Sequence, residues 1–189
     1  QVRMQVKDFM ITHDDKDLQE YKASLADLKK SLDQAKERIK NPERAAKIAK
    51  ITSDVNAYES AFEQLVGDIR KSDTIINDVL RALGPAMQKS LNEIINSAKN
   101  DQDFEAMAKS SLAVDHMLLG RLYAQKFLAT AAQADADLVV AENTKMQEQL
   151  TQLIGQENGT RKSLAQKVLE DAKTYIASFN QMAKATMGR

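Results

Sequence analysis

The chain is expected to be all-α, an elongated antiparallel bundle of long helices, and three observations carry that expectation. Glycine and proline are scarce, six and two in 189 residues, and tryptophan and cysteine are absent, which leaves little material for strands and tight turns. Apolar residues recur every three or four positions over long stretches. Three polar runs interrupt them, and three reversals make four rods.

Leu18, Tyr21, Leu25, Leu28, Leu32, Ala35 and Ile39 keep the three-four spacing of a first rod, and Ile48, Ile51, Val55, Tyr58, Phe62, Leu65 and Ile69 that of a second. Between them Asn41 caps and Pro42 takes the first helical position, so the chain reverses at 40–43. A second reversal is expected at 99–104, where Asp101 is a candidate N-cap, and a third at 155–160, GQENGT. The inner rods then run to ~55 residues each, ~80 Å at 1.5 Å per residue. The second is expected to break near Arg70–Asp73, where the apolar phase lapses, and to loosen again at Gly84-Pro85. The distal core should contain Leu25, Leu28, Leu32, Ile48, Val55, Phe62, Met146, Leu150, Leu153, Val168 and Phe179.

Function enters through an arginine. Stepping along Met107, Ser111, Val114 and Leu118 lands on Arg121, so a helix of that phase turns it inward, where it needs an anion. Sliding the chain on itself then reveals a repeat. At an offset of 118, VRMQVKDFMIT lies on GRLYAQKFLAT and matches Arg3 to Arg121, Phe9 to Phe127 and Thr12 to Thr130. At an offset of 117, Arg44 matches Arg161, Tyr58 matches Tyr175, Phe62 matches Phe179 and Gln64 matches Gln181. One helical hairpin has been used twice. Arg3 and Arg121 are thereby expected at one level, as two guanidinium forks for the two carboxylates of a small acid. Tyr58, Gln64, Tyr175 and Gln181 are candidates for a second, distal pocket, although residues at such spacing also build cores. Thr12 and Thr130 stand nine residues from the arginines and are expected to mark helix packing.

Paired long hairpins, a broken returning helix and the duplicated R-x5-F-x2-T pattern resemble the helical bimodular sensor domain of bacterial chemoreceptors. That resemblance implies two stacked four-helix modules, a proximal one from about 1–15 and 72–135 and a distal one from about 16–70 and 136–187, with the last proximal helix missing. It also implies a periplasmic domain of an inner-membrane receptor, a homodimer anchored by helices outside this chain, which binds C4-dicarboxylates, related acids or acetate. The alternatives are a histidine-kinase sensor that recognises a protein, or a structural coiled coil.

Other chemistry is not expected. Basic and acidic residues number 27 each, so no net charge invites nucleic acid. His13 and His116 lack partners at metal-ligand spacing, and no nucleophile-base pair or phosphate loop appears, so no metal, cofactor or enzymatic activity is expected. No stretch reaches the roughly 20 apolar residues that span a bilayer, and no signal peptide opens the chain.

Overall fold

A computed structural model describes residues 1–188, and every regular element among them is helical. The order is α1 (Val2–Thr12), α2 (Asp15–Arg38), α3 (Pro42–Thr74), a π-helical turn (Ile75–Leu80), α4 (Arg81–Asn100), α5 (Phe104–Thr130), α6 (Gln133–Gln156) and α7 (Gly159–Met187). The chain divides into two compact units, residues 1–69 and residues 70–189.

The three expected reversals are present. Asn41 Oδ1 accepts the Arg44 amide at 3.1 Å and Pro42 opens α3, as the sequence predicts. At the second, the cap is Asp103 rather than Asp101. Its carboxylate accepts the Ala106 amide at 3.0 Å, while Asp101 closes α4 and Gln102 takes a left-handed φ of 58°.

Two further reversals correct the straight rods expected at 1–40 and 102–157. The amide of His13, at φ 56°, donates to the Phe9 carbonyl at 2.8 Å, and that of Ala131, at φ 52°, donates to the Phe127 carbonyl at 2.7 Å. Such a left-handed residue closes a helix. The Thr12 hydroxyl then accepts the Asp14 amide at 3.1 Å and donates to Asp17, and the Thr130 hydroxyl accepts the Ala132 amide at 3.2 Å and donates to Asp135 at 2.9 Å. The matched threonines are therefore turn residues. Because α5 and α6 fold back on each other, they lie together in the second unit instead of being shared between two modules.

In the second unit α4, α5, α6 and α7 alternate in direction around one core, each packed on its chain neighbours, with α7 closing on α4. The buried face of α5 steps through Ala106, Ser110, Ala113, Met117, Gly120, Ala124 and Phe127 in strict four-three alternation. It sits one residue from the predicted seam, whose Ser111 and Leu118 are exposed. Met146, Leu150, Leu153, Val168 and Phe179 are buried as expected. Phe127 meets Phe179 edge-on, centroids 5.5 Å apart.

The first unit repeats part of that plan. Phe9 meets Phe62 edge-on at 5.7 Å, the counterpart of the Phe127–Phe179 pair, and Tyr21, Leu25 and Ile69 complete the cluster. Leu32 is also buried, Ile48 and Val55 are half-buried, and Leu28 is 36% exposed, so the core assignment fails there. Thus α1, α2 and α3 answer to α5, α6 and α7. In the described first unit α4 has no counterpart.

The interruption in the second rod lies between the two places expected. α3 runs through Arg70–Asp73 unbroken, and the helix instead widens into the π-turn at 75–80. Further on, Pro85 inside α4 has no N–H to give the Arg81 carbonyl, which loosens the helix just past the π-turn.

Truncating Phe127 to alanine should lower the unfolding free energy of the second unit by ~3–5 kcal/mol, whereas Leu28→Ala should cost under ~1 kcal/mol. Urea unfolding followed by circular dichroism measures both, and equal costs would reject this core assignment.

Candidate functional site

Two buried charge clusters of the second unit are satisfied within the fold. Arg161, on the first turn of α7, donates to Glu157 at 2.7 Å, to Asp101 at 3.1 Å and to Asp103 at 3.4 Å, stapling one end of the bundle. Backbone donation from Ala106 chiefly holds the Asp103 carboxyl below its usual value, with Arg161 contributing. Midway along, buried Glu142 meets Lys145 at 2.8 Å and His116 Nδ1 at 2.7 Å. The Lys145 hydrogen bond pulls the Glu142 carboxyl down against the opposing effect of burial, and His116 adds to it.

Arg121 differs from both. It is half-buried, flanking the core face of α5, and its guanidinium has no hydrogen bond or ion pair among the described residues. Its stem lies across α4 at Gly84, where an added Cβ would come within 2.8 Å of Nε. From there it borders two spaces. The inner one, with Met87, His116, Asn143, Met146 and Tyr175 on its walls, holds only about 10 Å³, room for a single water. The outer one is an open groove of about 140 Å³ formed by Ile76 and Leu80 of the π-turn, Arg81, Arg121, Gln125 and Tyr175, with Ala124 and Leu128 completing its apolar side. Two guanidinium-bearing residues thus share one groove, with apolar walls between helices.

Tyr175 joins Arg121 at both spaces and is 5% exposed, so two of the three candidates of this unit are brought together. Gln181 is exposed on α7, and in the first unit Tyr58 is 38% exposed and Gln64 lies on the surface. Arg3 also stands exposed, because the described first unit has no α4 against which it can lie. Sequence reasoning missed Arg81, Gln125 and the π-turn. The lapse in apolar phase was their signal, read a few residues too early.

A larger groove of about 390 Å³ follows α2 and α3 in the first unit. Lys22, Lys29, Glu59 and Glu63 border it, and Lys29 already pairs with Glu59, so it has no bias toward an anion.

Residues 3–110, more than half of the chain, match the CHASE3 domain. The chain belongs to the CHASE3 family. CHASE3 domains are extracellular sensor domains of receptors, and this one is an all-α bundle. No curated protein and no solved structure matches the chain. The CHASE3 match takes in the π-turn, Arg81 and Gly84 and ends before Arg121 and Tyr175. Among the described residues of this CHASE3 domain, no helix is long and apolar enough to cross a membrane.

Burial pushes the Tyr175 hydroxyl above its ordinary value of 10.0, and the charge of Arg121 partly offsets this. Since the folded value exceeds the unfolded one, stability should be unaffected below pH ~10 and fall as pH rises through the folded value. Tyr175→Phe should flatten that alkaline arm of a plot of melting temperature against pH; an unchanged arm would rule the assignment out. In the first unit burial drives Tyr21 to about 12, and its hydroxyl has no hydrogen-bond partner. Tyr21→Phe should therefore stabilise the protein by ~1 kcal/mol in urea unfolding, since an unpaired buried hydroxyl is removed.

Proposed function

We propose that this CHASE3 domain is the periplasmic sensor of a chemoreceptor in the inner membrane and that it recognises a small organic acid, a C4-dicarboxylate or a related acid of central metabolism. One observation carries the reading: the half-buried Arg121 guanidinium, seated against Gly84 and bordering an apolar groove, has no carboxylate partner among the described residues, whereas Arg161 of the same bundle has three. A guanidinium in such a place favours a planar carboxylate, which takes two parallel N–H donors, and exclusion of water strengthens both bonds. Arg81, in the same groove, supports a second carboxylate or a hydroxyl on the same ligand. The apolar walls fit the short carbon chain between them.

The receptor is proposed to act as a homodimer held by membrane helices outside residues 1–189. Met10 and Leu128, exposed by 48% and 43%, support an apolar contact between copies. Ligand-bound protein should sediment as a larger species than free protein; identical sedimentation at saturating acid would remove the dimer from the proposal.

Calorimetric titration with malate, succinate, citrate and acetate tests the ligand. Binding at micromolar to millimolar concentration is expected for at least one of them. Arg121→Ala should weaken it by about 30-fold or more, the ~2–5 kcal/mol cost of truncating one partner of a desolvated charge pair. Arg81→Ala should cost less, because that side chain is exposed and already donates to Asn77 at 2.8 Å. Arg3→Ala examines the pairing drawn from the repeat, and Lys50→Ala is a surface control, since Lys50 meets Asp54 at 3.0 Å in solvent. Silence toward all four acids would favour recognition of a protein by a kinase sensor.

A further inference from the structure

Gly84 lies buried inside α4, four residues after the π-turn, where helix propensity alone would favour alanine. Its lack of a side chain has a local reason. A Cβ at this position would stand 2.8 Å from Nε of Arg121, 3.0 Å from Cζ and 3.1 Å from Cδ, so the arginine lies flat across the bare backbone. Gly120, beside Arg121 in the chain, is different: a Cβ there would make only ordinary contacts, 3.7 Å from Glu142 Cβ. The π-turn adds to the argument. One extra residue in a helix rotates everything after it by about 100°, so the turn at 75–80 is what presents position 84, rather than Leu83 or Pro85, to Arg121.

We propose that Gly84 is a specificity-determining position of the Arg81–Arg121 groove: by letting Arg121 lie against α4 it sets the gap between the two guanidiniums, and with it the length of acid that spans them. The inference rests on the organic-acid reading of the groove. Arg121 and Arg81 touch the ligand, and Gly84 is a positioning residue that acts through Arg121. A methyl group at position 84 drives the guanidinium away from α4 by at least a few tenths of an ångström. Because Arg81 stands on α4 itself, that retreat widens the gap and moves the preference toward longer diacids.

Two measurements test the inference. The first needs no ligand. Gly84→Ala should raise the melting temperature less in the otherwise unchanged domain, where the arginine must leave its seat, than in an Arg121→Ala background, where the methyl enters vacated space and alanine's preference for the helix acts unopposed. Equal shifts in the two backgrounds would overturn the seat. The second is titration with malonate, succinate and glutarate. Gly84→Ala should raise the glutarate-to-succinate affinity ratio by about threefold or more, a difference of ~0.65 kcal/mol in binding. A purely structural role would weaken all three acids alike, so an unchanged ratio with binding retained removes Gly84 from specificity and leaves the sensor reading intact. If the unaltered domain binds no acid at all, the organic-acid reading falls, and the role of Gly84 in specificity falls with it.

Discussion

Two residues held at positive φ, His13 and Ala131, decide which helices of this chain touch. Neither is glycine, so each reversal costs roughly 1–2 kcal/mol of backbone strain, and each is held by a threonine that supplies what the broken helix no longer does. The Thr130 hydroxyl accepts the Ala132 amide and reaches forward to Asp135, and Thr12 does the same for Asp14 and Asp17. Had the chain run straight past residue 131, α6 would stand end to end with α5. Glu142 would then lie ~39 Å along the axis from His116 instead of in contact with it, and Arg121, Val139 and Tyr175 would not line one space.

Those two reversals also mark the limit of what the sequence reveals. The turns at 40–43, 99–104 and 155–160 are legible because each is a polar run with a capping Asn or Asp, and Pro42 or Gly159 sharpens two of them. At 130–133 the chain offers a threonine followed by ordinary residues, and at 12–15, where Asp14 does cap α2, neither glycine nor proline marks the turn, while the apolar spacing resumes almost in phase on the far side. Periodicity reports which face is buried and says nothing of whether two successive stretches are collinear. The repeat did single out Phe9, Phe127, Thr12 and Thr130. It could not say that the threonines turn the chain, since a matched position carries no role until its neighbours are known. Among core residues the same limit appears at Leu28, which keeps the seam spacing and yet stands exposed, because a seam in a three-helix unit is covered on fewer sides.

The candidate site was legible in Arg121 and Tyr175 and hidden in the rest. A count along α5 turns Arg121 toward the interior within one residue, which is why the true setting is half-buried beside the core face and not within it. Its depth belongs to α4. Arg3 carries the same local pattern, with Phe9 six residues on and Thr12 nine, and remains exposed, so the motif alone does not bury an arginine. What differs is a bare backbone at Gly84, aimed by a π-turn that no apolar count locates to the residue. The contact is non-local in sequence, 37 positions from Gly84 to Arg121 by subtraction, and for that reason it is invisible to any windowed pattern.

Charge placement in the second unit then separates scaffold from site. Burying a charge without a partner costs several kcal/mol, and the bundle avoids that cost wherever packing alone is at stake. Arg161 is surrounded by three carboxylates, and Glu142 lies between a lysine and a histidine. Both arrangements join helices that meet only because of the reversals, so they belong to the fold. Arg121 has been given the opposite treatment: its stem is accommodated at the expense of a helix-favouring residue at position 84, its neighbour Tyr175 is neutral and buried, and no acid is supplied. A bundle seeking only stability would place alanine at 84 and an apolar or paired residue at 121. Keeping the guanidinium against the groove with its donors uncommitted is stable enough because one edge remains in solvent, and it leaves those donors free for the anion proposed above.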